Sequence, residues 1–187
     1  TNTWVQRGGD INGKAANDQS GNSVSLSADG TIVAIGASLN DANGIDSGQV
    51  CVYKYETNTN AWVQCGGDID GEAANDNSGY SVSLSSDGTI VAIGAILNDA
   101  SGNLLSNAGH VRVYKYDATK TTAQLNNQSL ANYGPVGWNL LGGDIDGEAA
   151  NDRSGYSVSL SSDGTIVAIG AIRNGSIAGH VRVYRYQ

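Results

Sequence analysis

DIDGEAANDNSGYSVSLSSDGTIVAIGA, residues 68–95, returns almost letter for letter at residues 144–171 and in a more diverged form at residues 10–37. Within it, SVSLS alternates, with Val82 and Leu84 on one face and Ser81, Ser83 and Ser85 on the other, as a half-buried strand does. An Asp-Gly dipeptide follows at 29–30, 87–88 and 163–164. Between apolar runs this pair is a strong hairpin signal, because its turn needs positive φ. TIVAIGA is then apolar on both faces, short, β-branched and bounded by glycine. It reads as a strand covered on both sides.

Outward from this stretch the pattern continues. Three Trp-bearing segments precede the copies: TNTWVQRGGDING (1–13), AWVQCGGDIDG (61–71) and GWNLLGGDIDG (137–147). A loop of varying length follows each copy, which marks a surface connection. The last strand is QVCVYKY, HVRVYKY or HVRVYRY. One repeat is thus four short antiparallel strands, and such units in tandem read as β-propeller blades. The expected fold is all-β, a single repeat domain of three four-stranded antiparallel propeller-type blades. A fourth-strand segment (1–13) comes first. Blade A (20–71), blade B (78–147, with an insertion at 117–136) and blade C (154–187) follow. The order is permuted, so that the first strand and the last blade are incomplete.

The residues SGYSVSLSSDGTIVAIGA followed by GHVRVYKY resemble the FG-GAP repeat of integrin-α-type propellers, and the Tyr-then-Trp spacing resembles kelch blades. The FG-GAP resemblance covers nearly all of the chain except the insertion and implies a propeller. Two features depart from the family pattern. Gly-Ala is followed by Ser38, Ile96 or Ile172 rather than Pro, and the family's Asp-rich calcium loop is replaced by a Ser-Asp-Gly-Thr turn. Calcium at that turn is not implied.

Composition narrows the function. A net charge of −8 argues against nucleic acid, whose phosphates need a basic surface, and against an anionic membrane leaflet. No apolar run approaches the roughly 18 residues of a membrane span. No basic-then-apolar targeting segment opens the chain. With Thr1 first and no Met, the chain reads as a processed or partial product. Folding VCVYKYETNTNAWVQC about Asn58 sets Cys51 against Cys65, close enough for a disulfide worth on the order of 3 kcal/mol. Such a bridge would imply an oxidising, extracytoplasmic location.

Candidate chemistry is sparse. D-x-D-G-E-x-x-x-D offers hard oxygen ligands, so Asp68, Asp70, Glu72, Asp76, Asp144, Asp146, Glu148 and Asp152 are candidate calcium ligands. Turn capping by Asp beside Gly is the competing role. No cofactor is required by the sequence. His110 and His180 share one repeat position, which suits a structural role better than a metal site. No nucleophile with an adjacent base stands out, so no catalytic residue is assigned and no enzyme is expected. Asn127 and Asn174 begin N-x-Ser sequons in surface loops and are glycosylation candidates.

Counting strands gives one, four, four and three, three blades' worth against the roughly four to eight blades of closed propellers. The two incomplete edges are complementary. One carries Trp4, Val5 and Gln6, the other Val181, Val183 and Tyr184. The expectation is an extracellular or cell-surface, non-enzymatic structural or adhesive protein. It would join copies of itself head to tail into a filament or closed ring by strand complementation. A glycan- or protein-binding module and a fragment of a longer surface adhesin are the alternatives.

Overall fold

The computed structural model describes residues 1–99, 105–126, 130, 132–174 and 178–187, and its described sheets are built from short strands. Among the described residues, thirteen strands form three antiparallel sheets. The first holds β1 (Ser20–Leu26), β2 (Ile32–Ala37) and β3 (Gln49–Glu56), with β4 (Ala61–Gln64) and β5 (Ile69–Asp70) both paired to β3. The second repeats this with β6 (Ser78–Leu84), β7 (Ile90–Ala95), β8 (His110–Tyr116), β9 (Trp138–Leu140) and β10 (Ile145–Asp146). The third has β11 (Ser154–Leu160), β12 (Ile166–Ala171) and β13 (His180–Arg185).

The Asp-Gly signal is realised three times over. Asp29 Oδ1 accepts hydrogen bonds from Ser27 Oγ at 2.7 Å and from the Thr31 amide at 2.9 Å, while Gly30 takes φ +66°. Asp87 and Asp163 do the same in their turns. These bonds hold the Asp29 and Asp163 carboxyls down at about 2. Asp here is a turn-former, as its place beside Gly implies.

Neighbouring sheets pack face to face through one joint used twice. Ser23 Oγ donates to the Gly79 carbonyl at 2.7 Å, and Ser81 Oγ to the Gly155 carbonyl at 2.6 Å. The Leu84 amide donates to Ser25 Oγ and the Leu160 amide to Ser83 Oγ, both at 2.9 Å. The alternating serines therefore face the next sheet rather than water. Their apolar partners face the previous one: Val82 and Leu84 join Ala34, Val50, Val52 and Ile69 in one core, and Val158 and Leu160 pack on Ala92, Val111 and Val113 in the other. TIVAIGA of the second copy is apolar on both faces because its sheet is sandwiched between the other two.

Two expectations are corrected. Residues 1–13 form no strand, since the sheet edge they would join is not in their own first sheet. The Cys51–Cys65 disulfide is also absent, and both thiols are free. β3 and β4 pair Glu56 with Ala61 and Tyr53 with Gln64, one residue off a fold about Asn58. Because side chains alternate, that slip puts the two cysteines on opposite faces. Cys51 lies toward Asp68, and Cys65 packs against the first core. Alkylation of the unfolded, unreduced chain should therefore modify two thiols by mass spectrometry. A chain that takes up label only after reduction would contradict this register.

Candidate functional site

The loops before and after the two inner strands meet at one end of each sheet, and a buried aspartate ties them. Asp18 accepts from the Ala15 amide at 3.0 Å and from Asn40 Nδ2 at 2.8 Å. Asp76 holds Ala73 and Asn98 in the same way, and Asp152 holds Ala149 and Asn174. Burial raises the Asp76 carboxyl above its usual range. Sequence reading missed this tie. Its signal was an Asn at one repeat position (40, 98, 174) inside loops that otherwise vary. The same bond commits the Asn174 side-chain nitrogen, the atom a glycan would occupy. Asn127 lies outside the described residues.

The remaining calcium candidates separate into pairs. Asp68 is paired with Lys14 and accepts from Gln64 at 2.7 Å, and Asp70 accepts from Gln49 at 2.6 Å. Asp144 takes a two-pronged bond from Arg112, Nε at 2.6 Å and Nη2 at 2.9 Å, and Glu72 pairs with the same guanidinium. Glu148 lies 3.7 Å from Arg182 Nη1. Asp146 contributes its backbone carbonyl to Arg182 Nη2 at 2.5 Å. Among the described residues, Glu72, His110 and Asp144 come within metal-ligand reach of one another. They do not fit a divalent ion, because the Arg112 cation already sits between both carboxylates.

The repeats reach this arrangement with swapped charges. Lys14, Gln49 and Cys51 occupy in the first copy the positions of Glu72, His110 and Arg112 in the second. The cation moves from the loop to the strand and stays on the same aspartate position, 68 or 144. Burial, reinforced by Asp68, pushes the Cys51 thiol up to about 12, so it is no thiolate nucleophile at neutral pH. Burial, with the Arg112 charge, pushes His110 down to about 4.

The insertion is anchored by Lys120, whose Nζ donates to the carbonyls of Asn132 at 2.5 Å, Gly134 at 2.9 Å and Trp138 at 2.6 Å. It brings Tyr133 into the first core. Nothing in the repeat pattern signalled this lysine.

A tight sequence requirement lies at the Gly-Ala that ends the second strand of the first and second sheets. A Cβ on Gly36 would overlap the Gly79 carbonyl, and one on Gly94 would overlap that of Gly155. Residues 12–53 match the FG-GAP repeat. That segment runs from the polar loop through β1 and β2 into β3, and the second and third copies repeat it. The glycine that gives the FG-GAP repeat its Gly-Ala is the point where the next sheet's backbone arrives. No curated protein sequence matches the chain. Among solved structures, hydrazine synthase of Kuenenia stuttgartiensis is similar at 18% identity and a TM-score of 0.43, over 87% of this chain. The chain spans 44% of that one.

Trp4 is fully and Val5 largely in solvent, and Val181 and Val183 stand exposed on β13. Among the described residues, no helix is long and apolar enough to cross a membrane.

Proposed function

We propose that the chain is a non-enzymatic structural module of propeller-type blades that joins other copies of itself head to tail, at the cell surface or outside the cell. The observation that carries this reading is a mismatch in burial between equivalent residues. Val24 and Leu26 are 63% and 60% exposed, whereas Val82 and Leu84, at the same repeat positions, are 9% and 7% exposed. At the other end Val181 and Val183 are 68% and 65% exposed, against 0% and 8% for Val111 and Val113. The first sheet presents the surface that the second and third sheets use to receive a predecessor. The third presents the surface that the first and second use to receive a successor.

Such a joint is heterologous, so it closes into a ring if the rotation permits and otherwise grows as a filament. Two chains would supply six blades, within the range of closed propellers. The surface location rests on the resemblance to integrin-α-type repeats, since no disulfide supports it.

Light scattering across a concentration series, with electron microscopy of the same samples, tests the proposal. Rings or filaments that grow with concentration are expected, and deletion of residues 1–9 should leave folded monomers. A monodisperse monomer at every concentration would sink the proposal.

A further inference from the structure

Two of the three Trp-bearing segments seat the indole on the double glycine of the segment before, and Trp4 of the first stands in solvent. Trp62 Nε1 donates to the Arg7 carbonyl at 2.9 Å, beside Gly8, and its ring meets Tyr55 at 5.3 Å. Trp138 Nε1 donates to the Cys65 carbonyl at 3.0 Å, beside Gly66, and its ring meets Tyr116 at 5.2 Å. The third seat has the same parts, Leu141, Gly142 and Tyr186. There they line an open apolar cavity of about 190 Å³. Gly142 keeps the seat's backbone conformation, φ +73° against +71° at Gly8 and Gly66.

A polar clue lies beside it. Arg112 Nε is satisfied by Asp144, whereas the equivalent Arg182 Nε is buried with no partner. The residue that would correspond to Asp144 in one further repeat is Asp10, since positions 10, 68 and 144 are equivalent.

The segment that carries Asp10 also carries Trp4, and it is already shaped. Gln6 Nε2 donates to Asp10 Oδ1 at 2.8 Å, as Gln64 does to Asp68 at 2.7 Å. Arg7 fixes its base by stacking on Tyr55, 4.1 Å from the ring centre, and by donating to the Gly30 carbonyl at 3.1 Å. An arm held in its bound shape loses little entropy on docking.

We infer that the cavity at Leu141, Gly142 and Tyr186 is the receptor for Trp4 of a second copy, with Asp10 of that copy closing on Arg182. This rests on the head-to-tail reading and deepens it by fixing the register. By the pairing of β8 with β9, Tyr186 faces the incoming Trp4, Arg185 faces Val5 and Tyr184 faces Gln6. The Trp4 indole donates to the Leu141 carbonyl.

The test is a titration of a labelled peptide of residues 1–13 into the Trp4→Ala chain, followed by fluorescence anisotropy. Saturable one-to-one binding is expected. Trp4→Ala in the peptide, or Arg182→Gln in the chain, should weaken it at least tenfold. No binding up to millimolar peptide overturns the inference and leaves the cavity to a partner of other chemistry. Binding indifferent to Trp4 overturns it as well. If the intact chain assembles while the peptide fails, the register is wrong and the head-to-tail reading stands. If the peptide binds while the chain stays monomeric, the receptor stands and self-assembly falls.

Discussion

Gly94→Ala should cost about 3 kcal/mol or more of stability, near the top of the range for overpacked cores, and should split a urea melt into two transitions. The added methyl would meet the Gly155 carbonyl, and 2.5 Å away, Ser81 Oγ. The serine could rotate, but the carbonyl is backbone in a bulge set by Gly155 at φ +88° and cannot retreat without unseating β11. The third sheet would then uncouple from the first two. Gly36→Ala should act likewise against Gly79. Gly170→Ala is the discriminating control, because among the described residues its Cβ would meet only its own sheet, chiefly Ser157 Oγ at 2.5 Å. It should leave the melt within about 1 kcal/mol of wild type, as a Gly-to-Ala change in a strand does. The same variant should block growth of the assembly, because a second copy would bring Gly21 to Gly170 as Gly79 comes to Gly36. Unchanged melts for Gly94→Ala would show that the sheets do not meet glycine on carbonyl. Unimpaired assembly of Gly170→Ala would separate the intermolecular joint from the internal one.

The strands, hairpins and sheet membership were legible because their signals are local: period-two alternation, β-branched runs and the Asp-Gly turn. The register of β3 on β4 was not. Thr57, Asn58, Thr59 and Asn60 are all acceptable turn residues, and only the positive φ at Asn60 (+52°) selects a turn with Glu56 opposite Ala61. One residue of error was enough to create a disulfide on paper. The partners of the acidic motif were hidden for a different reason. A carboxylate's partner is set by what the fold brings to it, and Asp68 and Asp144 draw their cations from opposite sides, Lys14 from a loop and Arg112 from a strand. That swap could have been found by comparing the copies position by position, since Lys14 and Cys51 change together with Glu72 and Arg112. Strand counting pointed to two unpaired edges, whereas the exposed faces that carry Val24, Leu26, Val181 and Val183 needed coordinates. The Trp seat needed coordinates, because it joins segments more than fifty residues apart.

Arg112→Met should destabilise the second sheet by about 3–5 kcal/mol, the usual result of removing one partner from a buried ion pair. Asp144 would lose both hydrogen bonds from the guanidinium, and Glu72 its ion pair with it. Copying the first repeat should recover much of the loss: Arg112→Cys with Glu72→Lys rebuilds the Lys14, Cys51 and Asp68 arrangement around Asp144. If the paired change is no better than Arg112→Cys alone, the charge swap between repeats is incidental. The same cluster sets an acid limit. His110 is buried beside Arg112, and although Glu72 at 3.7 Å and Asp144 favour its charged form, burial prevails and holds it at about 4 against 6.5. The folded chain therefore resists protonation that the unfolded chain accepts. Stability from neutral His110 is complete above pH 6.5 and is lost as pH falls toward 4, by about 3 kcal/mol at 1.36 kcal/mol per pH unit. His110→Gln places there the residue that the first repeat carries as Gln49, removing the titration while keeping a polar group. Urea midpoints at pH 7 and pH 4 should fall further for wild type than for His110→Gln, with the carboxylates common to both cancelling in the comparison. Parallel falls would mean that His110 takes up its proton with little resistance in the folded chain.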